Sequence, residues 1–250
     1  MCDVDVWLCN QHVNIDAHGV YNTEKLIEAS KRYGVRIRTL TPEQGNPKPY
    51  NIASSDPSII RLTYGYYCQV IGLAERLGAG RISINAGWFS YDIARENAWD
   101  QMVAALRVIC DVAYAKGIEL CLETLVKTPY RLVCCLDDLE RALSSVNRPN
   151  FLATIDTGTV TRNGESIDTY LSHLGTRIGY VHLTNLNPSA LFHFAWGDPA
   201  GTLDPQGVLS SLQTGGYSGD CALEMTAPQY FKCPQEILSR AKVTLKGCGY

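Results

Sequence analysis

The feature that most constrains this chain is an unbroken alternation of short apolar runs with amphipathic stretches. The apolar runs lie at 4–8, 35–40, 81–85, 118–122, 151–155, 178–183 and 220–224, each of strand length. The stretches between them carry helix signals. Asn22 precedes a periodic segment at 23–33, and Asp56 followed by Pro57 opens another at 57–77. Over 99–116, Met102, Val103, Leu106, Ile109, Cys110 and Ala113 recur at helical spacing, and Gly117 stands where a left-handed cap is expected. Further helices are predicted at 137–143, 166–174, 205–212 and 234–243. Strict alternation calls for a parallel sheet with helical crossovers. An α/β barrel and an open sheet both satisfy it, but no GxGxxG or P-loop follows the first strand to support a nucleotide-binding open sheet.

A chain of 250 residues suits one such barrel, and no linker or low-complexity segment divides it, so residues 1–250 read as a single domain. The pattern gives seven strand–helix units where a complete barrel has eight. The expectation is a TIM (β/α)8-type barrel lacking its first β-strand unit. The irregular stretch 41–55 follows a strand end, where barrels keep functional loops.

Charge and cysteine content exclude several functions. The formal net charge is -3 with no basic block, so nucleic acid is not an expected partner. The opening MCDVDVWLCNQ lacks the basic and apolar regions of a secretory signal, and no apolar run reaches the roughly 18 residues that span a bilayer. The expected location is cytoplasmic, with no membrane partner. Ten cysteines include no CxxC pair; Cys110 and Cys121 sit in apolar patterns, and the adjacent Cys134 and Cys135 are poorly placed to share a bridge, so reduced structural thiols are expected.

Four polar residues end apolar strands. Glu123 closes IELCLE, Asp156 closes FLATID, His182 falls in GYVHL, and Glu224 closes CALE. In a parallel barrel all strand C-termini emerge on one face. Taken singly, each has an ordinary structural role; Asp156-Thr-Gly has the form of a helix cap, and a lone histidine is often a core residue. Taken together, three carboxylates would repel one another, and a divalent cation removes that conflict. Carboxylates with one imidazole suit Mn²⁺, Mg²⁺, Co²⁺ or Zn²⁺.

With these segments in view, the chain resembles the sugar-phosphate isomerase/epimerase superfamily, the barrels related to xylose isomerase and ketose 3-epimerases. The ordered Glu (LET), Asp (IDTG), His (YVHL) and Glu (ALE) match that family's metal ligands. It is most similar to fructoselysine 3-epimerases, through Thr41-Pro42-Glu43, Pro49-Tyr50-Asn51, His193, Gly197-Asp198 and Gly216-Tyr217-Ser218-Gly219. The resemblance implies one divalent cation, Mn²⁺ first, with Mg²⁺, Co²⁺, Zn²⁺ and Ni²⁺ as alternatives. It implies epimerisation of a ketose at C3, with Glu123 and Glu224 as the acid–base pair and Asp156 and His182 mainly holding the ion. His193, Glu43, Trp7, Asn85 and Asp198 are the candidate sugar-binding residues, with His12 and Trp88 as softer ones. A homo-oligomer is also implied.

Two family positions differ: Pro129 replaces a common glutamate, and Thr159 a common histidine, which favours a larger substituted sugar over free fructose or tagatose. Pro199 also stands where glycine is common. The rival readings are an aldose–ketose isomerase or dehydratase of the same superfamily, and a degenerate, non-catalytic sugar-binding barrel. A DNA-repair endonuclease would need more ligands and a basic groove.

Overall fold

The computed structural model describes residues 2–9, 13–44, 48–127 and 130–249. Its contacts divide the chain into two compact units, Met1–Leu152 and Ala153–Tyr250. In the first lie β1 (Cys2–Leu8), the short pair β2 (Asn14–Ile15) and β3 (Val20–Tyr21), α1 (Thr23–Tyr33), β4 (Val35–Pro42), α2 (Pro57–Leu77), β5 (Arg81–Ile84), α3 (Arg95–Tyr114), β6 (Glu119–Glu123) and α4 (Leu136–Val146). Strand β7 (Phe151–Asp156) begins in the first unit and ends in the second. The second unit continues with α5 (Thr157–Arg162), α6 (Ile167–Leu174), β8 (Ile178–His182), β9 (Asn185–Leu186), β10 (His193–Phe194), α7 (Pro205–Thr214), β11 (Cys221–Ala222) and α8 (Pro234–Gly247).

All seven strands read from the sequence form, in the order β1-β4-β5-β6-β7-β8-β11, and β1 with β4, β4 with β5, β5 with β6, β7 with β8 and β8 with β11 pair parallel. They are buried where they should be: β5 and β6 each carry a continuous run of three buried residues, as expected of a sheet covered by helices.

Helix starts follow local chemistry. Asp56 accepts the N–H groups of Ser58 at 2.7 Å and Ile59 at 3.3 Å, with Pro57 at the first helical position. Asn22 behaves differently: it sits left-handed (φ 62°) and its side chain caps nothing. Helix α3 begins four residues before its apolar periodicity. Arg95 ties its first turn to Asp138 at 2.5 Å, and Glu96 pairs with Arg141 there, so polar contacts extend the helix ahead of its buried face. That face holds Trp99, Met102, Ala105, Leu106, Ile109, Cys110 and Ala113; Val103 is only half-buried. The ten cysteines are all free, and burial pushes the Cys110 thiol up to about 12. None of the described helices is long and apolar enough to cross a membrane.

Candidate metal centre

In the second unit, register brings the candidate ligands together. β7 and β8 pair with Asp156 opposite His182, and β8 and β11 pair with His182 opposite Ala222. Glu224 follows Ala222 by two residues, on the extended stretch leaving β11. Residues directly opposite across strands project to the same face, and so does the residue two further on. The result is that Asp156, His182 and Glu224 each offer a ligand atom within 4.8 Å of the others.

Asp156 divides its work between two oxygens. Its Oδ1 accepts the Thr159 N–H at 2.5 Å, capping α5, and the Thr184 hydroxyl at 2.8 Å. Its Oδ2 is buried and accepts no hydrogen bond; His193 Nδ1 lies 3.8 Å from it. The side chain is fully buried. An ionised carboxylate oxygen sealed from water without a donor is costly, and a bound cation is the natural remedy.

Thr184 and Thr157 hold this corner. The Thr157 hydroxyl donates to the Thr184 carbonyl at 2.7 Å and accepts its N–H at 2.9 Å, while the Gly158 N–H donates to Thr184 Oγ1 at 2.7 Å. A Cβ at position 158 would lie 2.7 Å from that hydroxyl, so glycine is required by the close approach. Thr184 is a functional neighbour that sequence reasoning missed; its place two residues after His182, on the same strand face, was the available signal.

His182 is almost fully buried, edge-on to Tyr180 at 5.1 Å between ring centroids. Its Nδ1 lies 3.5 Å from Glu224 Oε2. His193 approaches the same oxygen to 3.3 Å. Burial alone would raise the Glu224 carboxyl; the His193 contact and the positive potential of both imidazoles overcome this and lower it to about 2. Glu224 therefore stands ionised at neutral pH. It is also the accessible member: its side chain is 38% exposed, against 5% for His182 and 0% for Asp156.

His193 is placed by a hairpin that the alternation did not predict. β9 and β10 pair antiparallel, with His193 opposite Leu186. Its backbone N–H donates to Thr226 Oγ1 at 3.0 Å, and its carbonyl accepts the N–H of Thr226 at 3.1 Å, linking the hairpin to the segment that carries Glu224. Asp198 is engaged otherwise: it accepts the Ala200 N–H at 2.9 Å and the Tyr230 hydroxyl, and it lies 4.0 Å from Arg240. These contacts order its loop.

The remaining candidates belong to the first unit. Glu123 is the last residue of β6 and half-buried. Since Ile84 pairs with Leu122, Asn85 and Glu123 take neighbouring places at the ends of β5 and β6. Asn85 Oδ1 accepts the Gly87 N–H at 2.9 Å, and its own N–H donates to Gln44 Oε1 at 3.4 Å. Gln44 Oε1 also accepts the buried Tyr67 hydroxyl. Glu43 pairs with Lys48 at 3.6 Å, and its carbonyl accepts the Tyr66 hydroxyl at 3.2 Å. Tyr66 stacks on Tyr50 at 4.0 Å, which gives both tyrosines a packing role. Trp7 is 54% exposed on β1. His12 and Pro129 lie outside the described residues.

The sequence family described as xylose isomerase-like TIM barrel matches residues 4–246. The chain belongs to that family. Fructoselysine 3-epimerase of Escherichia coli O157:H7 is 23% identical over 225 residues, covering 89% of this chain and 80% of that protein. Among solved structures, an L-ribulose 3-epimerase matches with a TM-score of 0.78 at 16% identity, covering 99% of this chain and 85% of the other. The IOLI protein, solved with a bound zinc atom, matches with a TM-score of 0.74 at 19% identity, covering 90% and 80%. The fold is thus a TIM barrel, and the seven parallel strands are strands of that barrel.

Proposed function

We propose that this chain is a divalent-metal-dependent ketose epimerase, acting at C3 of fructoselysine or a related substituted ketose. The observation that carries the reading is the buried, donorless Oδ2 of Asp156, which calls for a cation at the ends of β7, β8 and β11. In this reading Glu123, Asp156, His182 and Glu224 hold one ion, Mn²⁺ first among the candidates. The names of the relatives supply the substrate class. Residues 1–250 act as one domain, since the family match runs through both units.

The cation, when bound, supplies positive charge against the negative charge that develops on the substrate oxygens as the C3 proton leaves. The protein's own residues do the rest. Asp156 and His182, sealed from solvent, hold position and touch no substrate. Glu224 is ionised and accessible, so it can accept a proton. Glu123 is the partner that returns a proton to the opposite face of C3. His193, beside Glu224, is placed to hydrogen-bond a sugar hydroxyl.

The test is NMR in D₂O of the Mg²⁺-loaded protein with fructoselysine, fructose and tagatose. Deuterium at C3 together with a new epimer is the expected result with fructoselysine. Isomerisation without deuterium uptake would replace this reading with a hydride-shifting isomerase.

A further inference from the structure

The hairpin that carries His193 hangs from the two segments that carry the acidic ligands of the second unit. On one side stands α5, which Asp156 caps through Oδ1. Six residues after Asp156, at the last position of that helix, Arg162 sends Nη2 to the carbonyls of Asn187 at 3.2 Å and Ala190 at 2.6 Å. These residues open and close a turn between β9 and β10. The Ala190 N–H donates to the Asn187 carbonyl at 3.0 Å, and Asn187 Oδ1 accepts the Ser189 N–H at 2.9 Å. On the other side runs the stretch leaving β11. Two residues after Glu224, the Thr226 hydroxyl accepts the His193 N–H at 3.0 Å, while the N–H groups of Thr226 and Ala227 donate to the His193 carbonyl at 3.1 and 3.3 Å.

Both braces are made by side chains, and that decides what they can do. Between His193 and Thr226 a hydroxyl takes the place that a backbone carbonyl holds in an ordinary ladder, so this bond depends on the residue at 226. The turn makes its own internal bonds, and Arg162 ties it to α5. Thr226 is exposed and Arg162 half-buried, so water can replace either bond at little cost in stability. Position is the more sensitive quantity. The His193 Nδ1 lies 3.3 Å from Glu224 Oε2 and 3.8 Å from Asp156 Oδ2, and a binding group works only within about 0.5 Å of its productive place.

We propose that Arg162 and Thr226 are positioning residues: they hold His193 against Glu224 and Asp156 so that its imidazole meets a sugar hydroxyl. This deepens the ketose reading above and rests on it for the ligand, whereas the hold on His193 is a property of the protein alone. Two residues that merely steadied a surface hairpin would lower stability by the same small amount, with no link to His193.

The experiment uses the whole chain loaded with Mg²⁺, as wild type, Arg162→Met, Thr226→Val, the conservative Arg162→Lys and Thr226→Ser, and His193→Ala alone and combined with each of the first two. Ring ¹H–¹⁵N spectra of the histidines are read first, without sugar. Arg162→Met and Thr226→Val are expected to shift or broaden the His193 signals and to leave those of His182 in place, and Arg162→Lys and Thr226→Ser to restore them. Calorimetric titration with fructoselysine follows. Arg162→Met and Thr226→Val are each expected to weaken binding about threefold and His193→Ala about tenfold, with no further loss when either is added to His193→Ala. Unmoved His193 signals in both variants, or losses of equal size with and without His193, overturn the proposal. Melting curves report folding; if Arg162→Met does not fold, the Thr226 pair decides by the same criteria. Fructoselysine that fails to bind even the wild type sinks the ketose reading, and the ring spectra still decide whether these residues place His193.

Discussion

Two polar clusters sit at strand ends in this molecule, and they are built on opposite rules. In the first unit, after β4 and β5, the amide oxygens are occupied. Asn51 Oδ1 accepts the Ala53 N–H at 3.0 Å and the Trp88 N–H at 3.1 Å, and Asn51 Nδ2 donates to the Trp88 carbonyl at 2.8 Å. Gln44 Oε1 accepts from Tyr67 and from Asn85. In the second unit, after β7, β8 and β11, Asp156 keeps one oxygen buried and without a donor. The first arrangement is complete in itself and positions loops. The second is incomplete until something positively charged arrives. A satisfied buried network argues for architecture; a buried carboxylate oxygen without a donor argues for a ligand.

The comparison breaks most readily at Glu224. Glu224→Gln is expected to lower turnover by about 10³-fold with the fold intact, as read by steady-state epimerisation and circular dichroism. Turnover close to wild type would remove Glu224 from proton transfer.

Chelation addresses the incomplete cluster directly. EDTA treatment of the metal-loaded protein is expected to cost about 3 kcal/mol, seen as a fall in Tm, because the ion binds only the folded state. Asp156→Asn should reverse the sense of this effect. It is expected to bind no ion by elemental analysis, and in EDTA to melt at or above the wild type, since it removes a buried carboxylate oxygen that accepts no hydrogen bond. A protein indifferent to EDTA, with no metal found, would make the two clusters alike.

On the completed side, Asn51→Ala is expected to cost about 2 kcal/mol through its lost backbone hydrogen bonds, while metal content by elemental analysis stays that of wild type. A loss of metal in that variant would mean that the two clusters are not independent. The smallest effect is expected at Thr184→Val. It removes the hydroxyl that donates to Asp156 Oδ1 and accepts from Gly158, and it should cost about 1 kcal/mol of stability and about tenfold in metal affinity by competitive chelator titration.

Much of this was legible in the sequence because strand hydrophobicity and strand-end polarity are local signals. Asp156 follows its apolar run and His182 lies one residue inside the end of its own, and parallel register then makes them neighbours. Glu224 was placed on a strand through 220–224, but pairing stops at Ala222, since register depends on what β8 offers and not on the apolar run itself. The hairpin that carries His193 was not legible: two-residue strands have no periodicity to read. Helix α5 was missed for a similar reason, being six residues of Thr, Gly, Val and Arg with no apolar face. The two readings of Asp156, cap or metal ligand, looked like alternatives in sequence; the structure gives its two oxygens different surroundings, so one residue serves as the cap and remains available as a ligand.

That shared duty has a consequence for how such a barrel would decay over generations. A descendant released from selection for turnover would still need an oxygen at position 156 to start α5, so the aspartate would outlast the chemistry. Glu224 caps no helix and closes no turn. In a lineage of these proteins, it is the glutamate, rather than the aspartate, whose persistence would mark an ancestor still at work.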